Sequence, residues 1–295
     1  MAEGRPTLDT VAEAAGVSRM TVSNAYNRPD QLSAATREHV LAVAATLGYP
    51  GPNPAARSLR RRSSGTIGVL LTERLPYAFT DPGLVSLLRG LATELGAAGQ
   101  SMLLVPAEAD DVGEVVRNAL VDGFVICSMD ESDEAVIEVC RRRQPLVTVG
   151  HPRLPGVPLI AIDNVRAAAF AAEHLLHLGH RSFGILNLLG RRPGDTEHRD
   201  VPVRFGIDDR VDGFTRAVAA VADTSVVVET AQVHTHDEAV RVARAVLDVA
   251  ATRRPSAVFC VTDVLALGVL DAARQLGLSV PADVSVVGFD DIEEA

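Results

Sequence analysis

From Thr66 to the end of the 295-residue chain, short apolar runs alternate with amphipathic stretches, and this alternation limits the fold more than any other feature. The runs "TIGVLL", "SMLLVP", "GFVIC", "PLVTVG", "SFGIL", "SAVFCV" and "SVVGF" have strand length and little polarity, as strands covered on both faces do. Between them, residues 84–98, 112–120, 133–143, 165–178, 210–221, 237–251 and 263–276 carry apolar side chains at helical spacing. Strand, helix, strand repeated this often predicts parallel sheets flanked by helices. The length favours two sheets, with "AIDN" at 161–164 as the crossover. Residues 190–209, rich in charge and glycine and without a period, read as a long loop.

The first fifty residues follow another pattern. "LDTVAEAA" puts Leu8, Val11, Ala12 and Ala15 on one helical face, and Gly16 supplies a tight turn. Ser18 is placed to cap a second helix, "RMTVSNAYN", with Val22, Ala25 and Tyr26 inward. A third helix follows Ser33, carries Val40, Leu41, Val43, Ala44 and Leu47, and stops at Gly48. Ala12, Gly16 and Val22 have the spacing of a helix-turn-helix. The second helix then presents Ser18, Arg19, Met20, Thr21, Ser23, Asn24 and Asn27, side chains suited to base edges and phosphates in a major groove. An exposed polar helix in a protein-binding bundle is the plainer alternative. After "YPGP", Asn53 can cap and Pro54 open a helix of about two turns, too short to persist alone in water. Ala55, Ala56 and Leu59 share one of its faces, and Arg57, Arg60, Arg61 and Arg62 supply charge. Leu59 among arginines suits a minor-groove wedge, although a flexible basic linker would look similar.

Charge supports a division of labour. The net charge is −10, yet the stretch to Arg62 holds 8 of the 28 basic residues and only 5 of the 38 acidic ones. A basic head on an acidic body is expected when one domain touches DNA. Every basic residue is arginine, which excludes a Walker A loop, a Schiff-base lysine and a lysine general base. Cys127, Cys140 and Cys260 read as separate buried thiols. With no signal-peptide core and no apolar run of spanning length, a soluble cytoplasmic protein is expected, with no membrane partner.

Together these stretches resemble the LacI/GalR family of bacterial transcription regulators. The likeness is carried by "TLDTVAEAAGVSRMTVSNAYN", "LSAATREHVLAVAATLGY", "PNPAARSL", "TIGVLL", "IDN", "HLLHLGHRSFGIL", "RVDGF" and "SVVGFDDIE", in the family's order. The resemblance implies a helix-turn-helix domain over 1–51 and a hinge helix and linker over 52–64. An α/β periplasmic-binding-protein-like domain for effector binding and dimerisation, made of two parallel-sheet subdomains, then covers 65–295. It implies a homodimer on a near-palindromic double-stranded operator, with Arg19, Met20 and Asn24 at base-reading positions. Thr7, Ser18, Thr21, Ser23 and Asn27 match backbone-contacting positions. Leu8 joins the DNA-contacting set, as do Asn53, Ala56, Arg57 and Leu59 of the hinge. "YPGPN" is one residue longer than the family's usual spacing, and Met20 has no bidentate hydrogen bond to offer. Beyond Ala295 the family pattern leads us to expect another crossover strand and a closing helix.

In open parallel sheets ligands bind beyond the carboxyl ends of strands. Arg210, Thr262, Asp263 and Asp290 lie at such ends and could converge on a hydroxylated ligand, and Tyr77, Phe79 and Asp81 could line the same cleft. Arg210 and Asp290 match effector-contacting positions of the family. Thr262 or Asp263 could equally cap the next helix, and Arg210 could merely pair with Asp208 or Asp209. The stretch "LPYAFTDPG" departs from the family's common Asn-Pro-Phe pattern, and Gly150 stands where many relatives have aspartate. His174, His177 and His180 suit surface or interface roles better than a metal. Thr235 and Glu238 form a capping box flanked by His234 and His236. We find no catalytic nucleophile with a paired base, no metal site and no cofactor fingerprint. The expectation is a small-molecule-controlled repressor, with a solute-binding protein of the same body fold as the alternative.

Overall fold

The computed structural model describes residues 6–52, 63–72, 75–107, 111–189 and 206–294, the Tyr77 side chain excepted. The chain divides into two compact units, Met1–Gly65 and Thr66–Ala295.

The first unit is built from helices α1 (Leu8–Ala15), α2 (Arg19–Asn27) and α3 (Ala34–Thr46). Each is started by a hydroxyl. Thr7 and Thr10 bond reciprocally at α1, Ser18 accepts from the Thr21 N–H at α2, and Ser33 accepts from the Thr36 N–H at α3. Gly16 ends α1 at φ 65°, a conformation that favours glycine, and so makes the tight turn into α2. Val11, Ala12, Ala15, Val22, Ala25, Val40 and Ala44 form the small core, with Tyr26 and Tyr49 edge to face beside it. Leu47, expected inward, is exposed because α3 has already ended at Thr46.

The second unit has two sheets. The first contains β1 (Thr66–Leu71), β2 (Ser101–Pro106), β3 (Gly123–Cys127), β4 (Leu146–Val149) and β5 (Leu159–Ile160) in the order β2-β1-β3-β4-β5. The second contains β6 (Ser182–Leu188), β7 (Ser225–Ala231), β8 (Ala257–Cys260) and β9 (Ser285–Val287) in the order β7-β6-β8-β9. All pairings within them are parallel. The helices are α4 (Leu75–Ala78), α5 (Pro82–Ala97), α6 (Val112–Asn118), α7 (Glu134–Arg142), α8 (Asn164–His177), α9 (Ile207–Ala219), α10 (His236–Leu247) and α11 (Asp263–Gln275). Residues 161–163 carry the chain from one sheet to the other.

Alternation puts successive residues of one strand into different cores. Leu70, Phe124 and Ile126 join Val112, Val116 and Val136 on one face of the first sheet, whereas Val69, Leu71 and Cys127 join Ala78 and Leu88 on the other. In the second sheet β8 is buried throughout, and Phe214 stacks on Phe259 with ring centroids 4.5 Å apart. In each sheet the strand order reverses beside the first strand, β1 or β6. Such reversals open a crevice at the carboxyl ends of the strands.

Four readings are corrected. The strands β5 and β7 were not expected; β5 has two residues, and β7 is an edge strand whose Val226, Val227 and Val228 are all exposed, so no alternation marks it. Ile207, Asp208 and Asp209 open α9 instead of ending a loop, and residues 190–205 lie outside the described residues. Cys140 is exposed because α7 turns Ala135, Val136 and Val139 inward. The capping box at α10 is half made: Thr235 accepts from the Glu238 N–H, but the Glu238 carboxylate takes the Gln232 N–H.

Candidate functional site

In the head, capping and display are done by neighbouring side chains of the same helix. Ser18 Oγ lies 3.1 Å from the Thr21 nitrogen and 2.9 Å from the Thr21 hydroxyl, which locks the first turn of α2. Asn27 Nδ2 donates to the Ser23 carbonyl at 3.0 Å, and Asn24 Nδ2 donates to Gln31 Oε1 at 3.4 Å. Arg19 reaches Asp9 at 3.5 Å with both side chains about two-thirds exposed, so the pair contributes little and the guanidinium stays available. Met20 is 71% exposed. Leu8 is half-buried against the head's core. Asn53, Ala56, Arg57 and Leu59, with the rest of the hinge, lie outside the described residues.

In the body, Arg210 stands in the first turn of α9 and is held on several sides. Its Nη1 donates to Asp290 Oδ1 at 2.8 Å and to the Val261 carbonyl, its Nε donates to Asn164 Oδ1 at 3.0 Å, and its guanidinium lies 3.7 Å from the Phe289 ring centroid. The surface pairing with Asp208 or Asp209 gives way to this ion pair with a residue 80 positions further along the same chain. Burial lowers the Arg210 pKa, opposed by Asp290. Burial also pushes the Asp290 carboxyl up to about 6; Arg210 pulls it down, while Asp263 and Asp81 push it up further. Asp290 and Asp291 have φ of 116° and 56°, left-handed backbone that side chains disfavour and that the surrounding fold must hold.

Thr262 caps α11 by accepting from the Leu265 N–H at 3.4 Å. Asp263 is buried and accepts from the Ile292 N–H at 3.1 Å. A Cβ on Gly288 would lie 2.0 Å from Asp263 Oδ1, so only glycine lets this carboxylate sit there. Asp81 caps α5 through the Leu84 N–H at 2.8 Å, and its other oxygen lies 3.0 Å from His234 Nδ1. His234 Nε2 in turn lies 3.0 Å from Thr262 Oγ1. A cavity of about 410 Å³ adjoins them, lined by Thr80, Asp81 and Pro82 from one lobe and His234, Val264 and Leu267 from the other. Phe79 is exposed.

The candidates therefore fall into two connected groups, Arg210 with Asp290 and Asp81 with Thr262. Asn164, Phe289 and His234 complete them and were not foreseen as site residues. Asn164 and Phe289 lie in "IDN" and "GFDD", but nothing local marks His234, whose partners are 153 and 28 residues away. Of the other histidines, His177 Nδ1 donates locally to the Glu173 carbonyl at 2.7 Å, whereas His180 Nδ1 lies 2.9 Å from Ser256 Oγ, 76 residues away.

Residues 7–53 match the model for bacterial regulatory proteins of the lacI family, and residues 172–295 match the periplasmic binding protein-like domain. The HTH-type transcriptional regulator IpsA of Corynebacterium glutamicum is 41% identical over 299 residues, covering 96% of this chain and 82% of that protein. The chain belongs to the LacI family. Two solved structures add to this LacI-family likeness. The lac repressor dimer bound to operator and the anti-inducer ONPF has a TM-score of 0.76 at 26% identity, covering 98% of this chain and 83% of that one. The complex of the regulator CelR with cellobiose has a TM-score of 0.61 at 30% identity, covering 98% and 84%. As a LacI-family member the chain is a DNA-binding transcriptional regulator with an effector-binding body, which decides against the solute-binding alternative. Among the described residues, no helix is long and apolar enough to cross a membrane.

Proposed function

We propose that the regulator is a cytoplasmic homodimeric repressor that binds a near-palindromic operator and is controlled by an uncharged polyhydroxy compound held between its lobes. Residues 1–51 form the head, 52–64 the hinge and 65–295 the effector-binding and dimerising body. Arg19, Met20 and Asn24 read bases. Thr7, Leu8, Ser18, Thr21, Ser23 and Asn27 fix the register on the backbone, and Asn53, Ala56, Arg57 and Leu59 engage the minor groove. The protein works by binding and turns nothing over.

The observation that carries the effector reading is the Arg210–Asp290 pair, set on Phe289 at the crevice end of the second sheet. Its guanidinium is already matched by a carboxylate, and Asp263 and Asp81 add negative charge nearby. Such a site repels phosphorylated or carboxylate ligands and suits hydroxyls, which both accept from the guanidinium and donate to the carboxylate. The cellobiose held by CelR is a ligand of this kind. We assign Tyr77, Phe79, Asp81, Thr262 and Asp263 to the same effector site. Operator and effector affinities are then coupled reciprocally.

The test is selection from a random double-stranded DNA pool at moderate salt, with and without neutral sugars, sugar phosphates and nucleosides. One enriched palindrome, with retention altered by a neutral sugar, is the expected result. Response to sugar phosphates alone would overturn the effector class, and no enrichment would overturn the operator.

A further inference from the structure

One imidazole joins the two lobes of the body. The His234 side chain is 6% exposed and that of Asp81 14%, so water competes little for their contact. A carboxylate only accepts, so Nδ1 carries the proton toward Asp81. In the neutral ring Nε2 then accepts from the Thr262 hydroxyl, whose oxygen takes the Leu265 N–H on a lone pair. The ring thus connects the capping residue of α5 in the first lobe to the capping residue of α11 in the second. The connection continues toward the proposed effector site, because Arg210 donates to the carbonyl of Val261, the residue before Thr262. A second link between the lobes, Arg89 to Glu293 at 2.9 Å, is solvent-exposed on both sides and contributes little.

We propose that His234 is the positioning residue that couples effector occupancy to lobe orientation, by clasping the start of α5 to the start of α11. A ligand that redirects Arg210 shifts the Val261–Thr262 peptide, and the ring carries that shift to Asp81 and α5. Signalling through the clasp rests on the inter-lobe effector reading above; the clasp itself does not.

The test uses the full chain and the variants His234→Ala, His234→Gln and Asp81→Ser. A carboxamide offers one donor and one acceptor as the neutral ring does, and serine keeps the α5 cap while falling short of the ring. Amide hydrogen exchange across residues 82–88 should speed up roughly tenfold in His234→Ala and in Asp81→Ser, and return toward the parent rate in His234→Gln. Changes confined to α10 and α11, or equal changes in the Ala and Gln variants, would overturn the clasp. Combining His234→Ala with Asp81→Ser should cost less Tm than the separate losses together; full additivity would also overturn it. Affinity for the selected operator without effector should change about fivefold or more in His234→Ala. If α5 loosens while operator affinity stays constant, the coupling is overturned and the DNA-binding reading stands. If the parent chain selects no operator, that reading fails and the exchange data still judge the clasp.

Discussion

Asp290 is where burial and charge disagree most. Its carboxyl is pushed up from 3.8 to about 6, so between those values the folded chain keeps a proton that the unfolded chain releases. Stability should therefore fall as pH rises from about 4 to about 6 and level off above, by on the order of 2 kcal/mol. Asp290→Asn should flatten that slope in urea midpoints taken across the range. Glu238 acts in the opposite direction: the Arg241 hydrogen bond holds its carboxyl down at about 2, so its contribution is present above about 4.5 and is lost as pH falls toward 2. At this scale sequence reading grouped Arg210 with Asp290, and the structure pairs them at 2.8 Å. It missed His234 because hydrogen bonds between residues far apart in the chain leave no periodic trace.

Elements were more legible than sites. Apolar runs located seven strands to within a residue or two at most ends, since a strand buried on both faces has no polar position to hide in. β5 is too short to give such a signal, and in β7 the three valines run straight into Glu229 and Thr230. The caps were read at Ser18 and missed at Asp81, where the cap doubles as a bond to the other lobe. Ser18→Ala should cost about 1 kcal/mol of head stability and weaken operator binding, because the first turn of α2 frays; thermal melts and binding isotherms report the two effects. The contact of α8 with α9 is tighter still. A Cβ on Gly213 would lie 2.1 Å from the Val165 carbonyl oxygen, and backbone cannot step aside as a side chain does. Gly213→Ala should lose about 3 kcal/mol in urea unfolding, with head melting unchanged.

For the whole molecule, the division into two units was visible as a change of pattern near Thr66, and charge follows the same boundary. In the proposed homodimer, phosphate contacts made by two basic heads release counterions, so operator affinity should drop roughly a thousandfold between 50 and 200 mM salt. Binding of an uncharged effector, followed by calorimetry in the same buffers, should hardly change. A strong salt dependence of effector binding would mean that the ligand carries charge.

In the proposed effector site, the Arg210–Asp290 contact sets a threshold. The two side chains already satisfy each other, with the Arg210 guanidinium over the Phe289 ring. On the effector reading proposed above, a hydroxylated ligand trades one set of hydrogen bonds for another and gains only the difference. Occupancy of the proposed site then calls for a higher ligand concentration than an unpaired guanidinium would need.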